Sequence, residues 1–374
     1  MSLPALVIAS VIPLLTLFLI YTFDLYKTGE FRTILLCLAA GLVAFELASL
    51  VNRTIITGGW LTQINVVRYS APILEEILKG LLLWYLVRRP KFTYFVEGAV
   101  YGFAAGIGFA IFENFQYVIS AREAGLALAI SRVISTNLIH ATTCSLLGIA
   151  LGLARFERSP RKTLISLIGL FTASLLHVIF NNLVTRVNGG FLLVSAAGCG
   201  LSGAAMIAYL IRLGLKEEKA WIEEKLGMAD RVTSGEAAVV QRLDQLQELL
   251  KPLAERFGAK KAGQIERFLI TQARLGILRK TLDKLTDEQM RSSVEAQMAK
   301  LRAEMDNARR QVGSYAMLYL RQTIPENASP LWARLEASIQ MRPAEGGPNL
   351  WATLKLRQQE RTLLASEPNQ EQGK

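Results

Sequence analysis

The sequence predicts an all-α polytopic membrane protein: a helix bundle of about seven spanning helices with a C-terminal helical cytoplasmic domain. The chain of 374 residues is 51% hydrophobic and only 20% charged. Its mean hydropathy is +0.30, and its apolar stretches reach the roughly 20 residues that cross a bilayer. Charge is unevenly spread, because residues 1–214 hold 16 basic and 9 acidic side chains while residues 215–374 hold 26 and 22.

Seven apolar segments lie in the first part of the chain. They run over about 3–23, 33–51, 66–87, 94–119, 126–154, 163–184 and 191–214. Helices are the expected conformation because lipid cannot satisfy open backbone groups. This pattern excludes a soluble enzyme and a disordered protein. The three cysteines (Cys37, Cys144 and Cys199) all fall in apolar stretches, so no disulfide scaffold is indicated.

Basic residues alternate between the loops. The loops after the first, third, fifth and seventh segments are rich in Lys and Arg, and the intervening loops carry about one each. Because basic loops stay cytoplasmic, we expect an integral protein of the inner or plasma membrane with its N-terminus outside and its C-terminal domain inside. The net charge of +11 is explained in the same way, so no nucleic-acid partner is expected.

The composition changes to that of soluble helices from about residue 215. Apolar residues from Val294 to Tyr319 alternate spacings of four and three, the a/d pattern of a coiled-coil seam. Two interpretations stay open: a helix packed inside a small bundle, or a homo-oligomer joined through the C-terminal helices. The segment RPAEGGPN at 342–349 breaks the pattern with two prolines and two glycines.

These features divide the chain into three predicted parts. They are a membrane domain at 1–214, a cytoplasmic helical domain at 215–341, and a linker, short helix and disordered tail at 342–374.

A small set of ionisable side chains lies inside the apolar segments, where charges are costly and usually functional. The set is Glu46, Arg68, Glu75, Glu76, Lys79, Glu97, Glu113, Arg132 and the two histidines of the chain, His140 and His177. Glu75 and Lys79 are four residues apart and share a helix face. We therefore expect Glu75 to face a wet cavity with Lys79 as its electrostatic partner.

Glycine recurs at every fourth position in two of these segments. The set is Gly98, Gly102, Gly106, Gly148 and Gly152. Such spacing lets two helices approach closely, so it predicts a tight crossing but carries no chemistry by itself.

The polar groups could activate water in two ways, and both stay open. Two histidines with one or two glutamates could bind Zn²⁺ and leave a position for water; the candidate ligands are Glu113, His140 and His177. Alternatively, a buried glutamate could act as the base without metal. We favour the second slightly because the HExxH motif is missing. No serine is recognisably paired with a base and aspartate is absent from segments three to six, which disfavours triad and aspartyl mechanisms.

Four polar segments together resemble the PrsW family of intramembrane proteases, which belongs with the CAAX prenyl endopeptidases and bacteriocin-processing enzymes. The resembling pieces are EExxK from Glu75 to Lys79, FxxxEN from Phe109 to Asn114, HxxxC from His140 to Cys144 and HxxxN from His177 to Asn181. They occur in the family's order, each on its own segment, within residues 65–185.

The resemblance implies roles for the acidic residues. Glu75, or its neighbour Glu76, would be the general base that activates water. Glu113 stands where the CAAX endopeptidases carry a histidine, and an acidic residue there is the PrsW pattern.

The resemblance also implies roles for the other polar residues. His177 would bind the water or stabilise the oxyanion, and Asn181 would donate a hydrogen bond to it. His140 would complete the cluster. Cys144 departs from the family, where a hydroxyl residue is more usual.

The expected function is that of an intramembrane endopeptidase acting on a membrane-anchored protein substrate in the lipid bilayer, with a tail that regulates, recruits or oligomerises. Two other classes stay open. One is a catalytically inactive scaffold or receptor that signals through its cytoplasmic helical domain. The other is an ion or proton carrier with Glu75, Glu113 and the histidines as a relay, which the lack of an evident inverted repeat disfavours.

Overall fold

A computed structural model describes residues 3–22, 30–120, 125–186, 190–225, 240, 246–314 and 316–317. In this part of the chain every regular element is a helix, which confirms the predicted all-α class. The end of the heptad pattern, at Tyr315 and Tyr319, and the predicted tail at 342–374 lie outside the described residues.

The helices follow one another in a simple order. They are α1 (Leu3–Thr22), α2 (Phe31–Thr57), α3 (Gln63–Asn65), α4 (Ala71–Val87), α5 (Phe95–Ser120), α6 (Gly125–Ile134), α7 (Thr136–Ala154), α8 (Ser159–Arg186), α9 (Gly190–Lys225), α10 (Leu246–Phe257), α11 (Ala259–Lys284) and α12 (Glu288–Val312). A π-helical turn, Val66–Ser70, joins α3 to α4.

Six helical stretches in the described part of the chain are long and apolar enough to cross a membrane. They are α1, α2, α5, α6 continued by α7, α8 and α9. The third predicted segment forms α4, which has 17 residues; at 1.5 Å per residue it is about 25 Å long, shorter than the roughly 30 Å hydrocarbon layer. The π turn lengthens this segment at its start, and the count of seven spans stays a prediction.

The central helix of the bundle is α5. Nearly all of its side chains before Phe112 are buried, and it packs most extensively against α7 and then α2. A Cβ atom added at Gly102 would collide with the backbone of Cys144, and one at Gly106 with the backbone of His140. The two backbones therefore touch directly, which confirms the close crossing that the glycine spacing predicts.

The outer helices leave large apolar side chains exposed. Phe18 of α1, Leu47 of α2, Phe171 of α8 and Tyr209 of α9 are each 46–66% exposed. An apolar surface of this extent on a folded protein marks contact with another phase or partner, here the bilayer. The arrangement is that of an integral membrane protein.

The predicted fifth segment is broken near its middle. Ser135 separates α6 from α7 and leaves the helical region, with φ −108° and ψ −81°. Arg132, at the end of α6, contacts Glu113 and Asn114 of α5.

The C-terminal helices α11 and α12 form an antiparallel hairpin. Lys261, near the start of α11, donates hydrogen bonds to the carbonyl oxygens of Gln311 and Val312 at the end of α12. The heptad stripe of α12 is buried at Val294, Met298, Met305, Ala308 and Val312, and α12 packs on α11. Packing inside the chain accounts for the stripe, and a homo-oligomer through it stays a prediction.

An aromatic cage connects the end of α11 to the membrane helices. Nζ of Lys284 lies 4.0 Å from the ring centroid of Trp221, 5.4 Å from Tyr94 and 5.7 Å from Phe156. Burial lowers the pKa of Lys284, and the rings stabilise its charge through cation–π contacts. Because α9 runs continuously to Lys225, no helix end marks residue 214, and the three-part division stays a prediction.

Candidate active site

Four helices bring the predicted acidic and imidazole groups together. Glu75 and Glu76 lie in the second turn of α4, Glu113 in the last third of α5, His140 near the start of α7 and His177 in the second half of α8. The five side chains reach the same interior region from these four helices. The glycine contacts between α5 and α7 fix the positions of Glu113 and His140 relative to each other along the helix axes.

Glu76 is the centre of the hydrogen-bond network. Its Oε1 accepts from Nζ of Lys79 at 2.7 Å, from Oγ1 of Thr143 at 2.9 Å, and is paired with Nδ1 of His177 at 2.9 Å. The Glu76 and Lys79 side chains are fully buried. Lys79 donates its hydrogen bond to Glu76, three residues earlier, and not to Glu75; it acts on the cavity-facing Glu75 through its charge alone.

Glu75 keeps one carboxylate oxygen without a hydrogen-bond partner. Its Oε2 is buried and lies 3.7 Å from Nε2 of His177. Since Nδ1 of His177 is already paired with Glu76, the ring is oriented with Nε2 toward Glu75. The rings of His177 and His140 meet edge to face with centroids 4.7 Å apart.

Glu113 is held by two partners. Its Oε2 accepts from Nη2 of Arg132 at 2.6 Å and lies 3.0 Å from Nε2 of His140. Nδ1 of His140 lies 3.2 Å from Nζ of Lys79. A lysine ammonium only donates, so Nδ1 of His140 accepts and its Nε2 carries the proton that points to Glu113.

An amide pair supports this acidic group from α5 and α7. Nε of Arg132 donates to Oδ1 of Asn114 at 2.6 Å, and the side chain of Asn114 donates to that of Asn137. Both asparagines are fully buried. Arg132 is thereby held from two sides and keeps Glu113 in place.

The last two predicted residues lie at the edge of the cluster. Nδ2 of Asn181 donates to the carbonyl oxygen of Val67 in the π turn at 2.8 Å, so its hydrogen bond to the reacting water stays a prediction. Cys144 is buried at the α5–α7 crossing. Thr143, immediately before it, supplies the hydroxyl that contacts Glu76.

A cavity of about 470 Å³ reaches the cluster from one side of the bundle. Glu75, Glu113, Phe109 and Asn181 line it, together with residues of α2, the π turn and the end of α5. A space of this size, with carboxylates in its wall, is large and polar enough to hold several waters.

Sequence reasoning did not single out Thr143 and Asn137, and it noted Arg132 only as an intramembrane charge. The missed signal is helical spacing. Asn137 and Thr143 lie three residues before and after His140, so all three share one face of α7. Arg132 could not be placed from spacing because Ser135, between it and His140, leaves the helical region.

The donor set fits a divalent metal. One ligand atom from each of Glu75, His140 and His177 lies within 4.8 Å of the others. Two histidines and one glutamate with an open position match catalytic zinc sites, and the pairing of His177 with Glu76 matches the usual carboxylate support of a ligating histidine. The unpartnered Oε2 of Glu75 is the observation that calls for a further ligand. To bind the metal, His140 would give up its contact with either Lys79 or Glu113.

The predicted metal set differs from this group in one residue. The predicted ligands are Glu113, His140 and His177, so Glu113 stands where the observed group has Glu75. In the structure Glu113 already accepts hydrogen bonds from Arg132 and His140. The role of Glu113 as a ligand stays a prediction.

Comparisons with known proteins agree with the geometry. The model of the family described as "PrsW family intramembrane metalloprotease" matches residues 29–213. The chain is similar to Protease PrsW of Bacillus subtilis (strain 168), with 31% identity over 32% of this chain and 54% of that protein. It is also similar to Protease PrsW of Shouchella clausii, with 28% identity over 46% of this chain and 80% of that protein.

A third relative is Protease PrsW of Halalkalibacterium halodurans, which is 29% identical over 32% of this chain. The chain spans about half the length, 54%, of the Bacillus and Halalkalibacterium proteins. No solved structure gives a significant match. The resemblance noted from four motifs is confirmed by these matches, and residues 29–213 are similar to the PrsW family.

Proposed function

We propose that this protein is an intramembrane endopeptidase that hydrolyses a peptide bond of a membrane-anchored protein. The convergence of three carboxylates and two imidazoles from four helices, with Glu75 and Glu113 in the wall of one cavity, carries this proposal. Peptide hydrolysis requires an activated water and a donor for the oxyanion, and this cluster offers both. The relatives named Protease PrsW support the same reaction class.

Glu75 is the group that activates the water. Its unpartnered Oε2 lines the cavity, so it can accept a proton from a water lying between it and His177. Glu76 holds His177 through Nδ1, which leaves the opposite nitrogen free to act on the same water. Three partners contact Oε1 of Glu76, while its Oε2 is buried without a hydrogen-bond partner; through Oε1, Glu76 positions the other groups.

The cations of the site set its charge. The acidic groups Glu75, Glu76 and Glu113 face two cations, the fully buried Lys79 and the partly buried Arg132. In the metal-bound alternative Glu75 would be a ligand instead of the base: Glu75, His140 and His177 would hold a divalent ion, which would supply a polarised water and Lewis-acid assistance. Arg132 fixes Glu113, and Lys79 fixes both Glu76 and the tautomer of His140.

We propose that the C-terminal helices recruit or regulate the substrate rather than react with it. The part of the chain after α9 contains no histidine and no cysteine. The predicted N-terminus outside and C-terminus inside the cell is part of the same proposal.

The test replaces one intramembrane glutamate at a time. Cells that lack the protein are complemented with the wild type, Glu75→Gln or Glu46→Gln, and new protein termini in the membrane fraction are quantified by mass spectrometry. Glu46 is the matched control because it is an intramembrane glutamate of α2 that is exposed and lies outside the cluster.

Wild type and Glu46→Gln should produce the same termini. Glu75→Gln should reduce them at least 100-fold, the smaller end of the effect of a general base. Equal termini from Glu75→Gln would remove the protease assignment and favour a scaffold that works through its C-terminal helices.

A further inference from the structure

A second cavity, of about 540 Å³, lies where α4 and α7 end and α8 begins. Its walls come from the end of α4, the α7–α8 loop, the first turns of α8 and the turn between α11 and α12. Four cations line it: Arg88, Arg155, Arg158 and Lys162. They outnumber the two acids of the lining, Glu157 and Asp287.

Arg155 is the innermost of these cations. It is 6% exposed, and its Nη1 donates to the carbonyl oxygens of Val87 and Arg89. Its Nε and Nη2 are buried without an acceptor. Burial lowers the pKa of Arg155 to about 10, so the side chain is still charged at neutral pH. The buried carboxylate of Glu97 favours the charge of Arg155, but Nε and Nη2 of Arg155 still have no acceptor, and buried donors without acceptors are costly.

The two acids of the lining have other partners. The carboxylate of Asp287 caps α12 by accepting from the backbone N–H of Met290 at 2.7 Å. Glu157 lies 4.0 Å from Arg161, which points away into solvent. The wall also contains the N-terminus of the 28-residue helix α8, where backbone N–H groups and the helix dipole favour an anion. Cytoplasmic topology explains basic loops in general, but it does not explain a buried arginine with two unsatisfied donors.

The surface beside the cavity is apolar. Trp84 and Leu167 line the cavity and are 50% and 58% exposed, and Leu81 and Leu164 next to them are each 57% exposed. This apolar strip runs along α4 and α8 from the cationic cavity toward the middle of the bundle. A ligand that fits both parts has an anionic head and hydrocarbon chains.

We propose that this cavity binds the phosphate-bearing headgroup of an anionic phospholipid, with the acyl chains lying along α4 and α8. Basic pockets between membrane helices at the cytoplasmic surface are suited to such headgroups. The site is separate from the proposed protease centre, so it stands or fails independently of the proposed function.

The test measures lipid binding by the full chain. The protein is purified in a nonionic detergent and titrated with phosphatidylglycerol, phosphatidylcholine or soluble glycerol 3-phosphate, and bound lipid is counted by native mass spectrometry. The test variant is Arg158→Gln with Lys162→Gln, which leaves the buried Arg155 and its backbone contacts intact. The control is Arg161→Gln with Lys216→Gln, which removes the same charge from exposed positions outside the cavity.

Wild type and control should bind phosphatidylglycerol alike and in preference to phosphatidylcholine. The test variant should bind it about 25-fold more weakly, or about fivefold for each removed cation. Equal loss in both variants would show general surface attraction and overturn the site. Binding of glycerol 3-phosphate as tightly as phosphatidylglycerol would overturn the lipid and assign a soluble phosphate ligand.

Discussion

The buried pair of Glu76 and Lys79 determines the arrangement of the candidate active site. Three side chains contact a single oxygen of Glu76, and Lys79 reaches from that oxygen to His140. Two charges in a dry interior are costly when separated, although replacing both together is tolerated far better. The pair therefore has a structural role that can be measured without a substrate.

We expect Lys79→Met to lower the free energy of unfolding by about 3–5 kcal/mol, because it leaves the Glu76 carboxylate buried without its ammonium. The double variant Glu76→Gln with Lys79→Met should be more stable than Lys79→Met alone. Unfolding of the purified chain in SDS measures both. Lys91→Met, which removes an exposed partner of Glu30, should change stability by less than about 1 kcal/mol. If the stability lost by the double variant equals the sum of the losses in Lys79→Met and in Glu76→Gln, the pairing is contradicted.

The Glu75–His140–His177 group predicts a specific metal content. Protein purified without chelator should hold about one divalent metal ion per chain by elemental analysis, and His177→Phe should hold less than about a tenth as much. Glu46→Gln, outside the cluster, should match the wild type. Full metal content in His177→Phe would mean that the ion binds elsewhere.

The sequence identifies the ionisable candidates of the site but not the partners of each side chain. Rare ionisable groups in apolar segments identify Glu75, Glu113 and the histidines, because such groups are too costly to lie in lipid. The direction of each side chain was harder to predict. Adjacent residues on a helix point about 100° apart, so spacing alone could not decide whether Lys79 meets Glu75 or Glu76.

Among the elements, the α5–α7 pair is the least tolerant of added volume. Its backbones are in contact at Gly102 and Gly106, and the two helices carry Glu113 and His140. Any side chain at the crossing must push the helices apart and so lengthen the distance between those two groups.

Gly102→Ala should therefore destabilise the protein by about 1–3 kcal/mol through overpacking. Gly198→Ala in α9 is the matched control, because nothing lies within 4 Å of its added Cβ atom; alanine favours a helix there, so stability should be unchanged or slightly higher. Thermal unfolding in detergent compares the two. Equal melting temperatures would show that the crossing can relax.

Helix existence was predictable and helix interruption was not. Apolar length indicates each spanning segment because the bilayer sets that length. The break at Ser135 carries no proline or glycine signal. The π turn at Val66–Ser70 has one, because Pro72 lacks the N–H that would bond the carbonyl oxygen of Arg68, but that signal does not separate a kink from a π turn. Their geometry depends on contacts with other helices, and a local pattern contains no information about those contacts.

For the whole molecule, the cage around Lys284 is one connection between the membrane helices and the C-terminal hairpin, beside the ion pairs of Lys280 with Glu224 and of Asp283 with Lys225. The heptad stripe of α12 was compatible with a bundle or an oligomer, and the sequence could not separate them because both bury the same face. The structure covers that face with α11. The hairpin is thus a compact unit, and the contribution of Lys284 to its attachment to the membrane helices can be tested by replacing that residue.

Lys284→Gln should loosen this attachment. Loss of the cation–π contacts should speed hydrogen exchange at the backbone amides of residues 277–285 about fivefold, measured by mass spectrometry on the full chain. Lys300→Gln removes an exposed lysine of α12 and should leave the same amides unchanged. Identical exchange in the two variants would exclude the cage as the attachment.

The contact of glycine backbones between α5 and α7 also limits how the chain can vary in length. One residue inserted in α5 between Gly102 and Glu113 would turn the carboxylate by about 100° around the helix axis while the crossing stayed anchored. Glu113 would then leave both Arg132 and His140. Insertions and deletions are therefore tolerable only in the loops, and the spacing from each glycine to its reactive neighbour must stay constant.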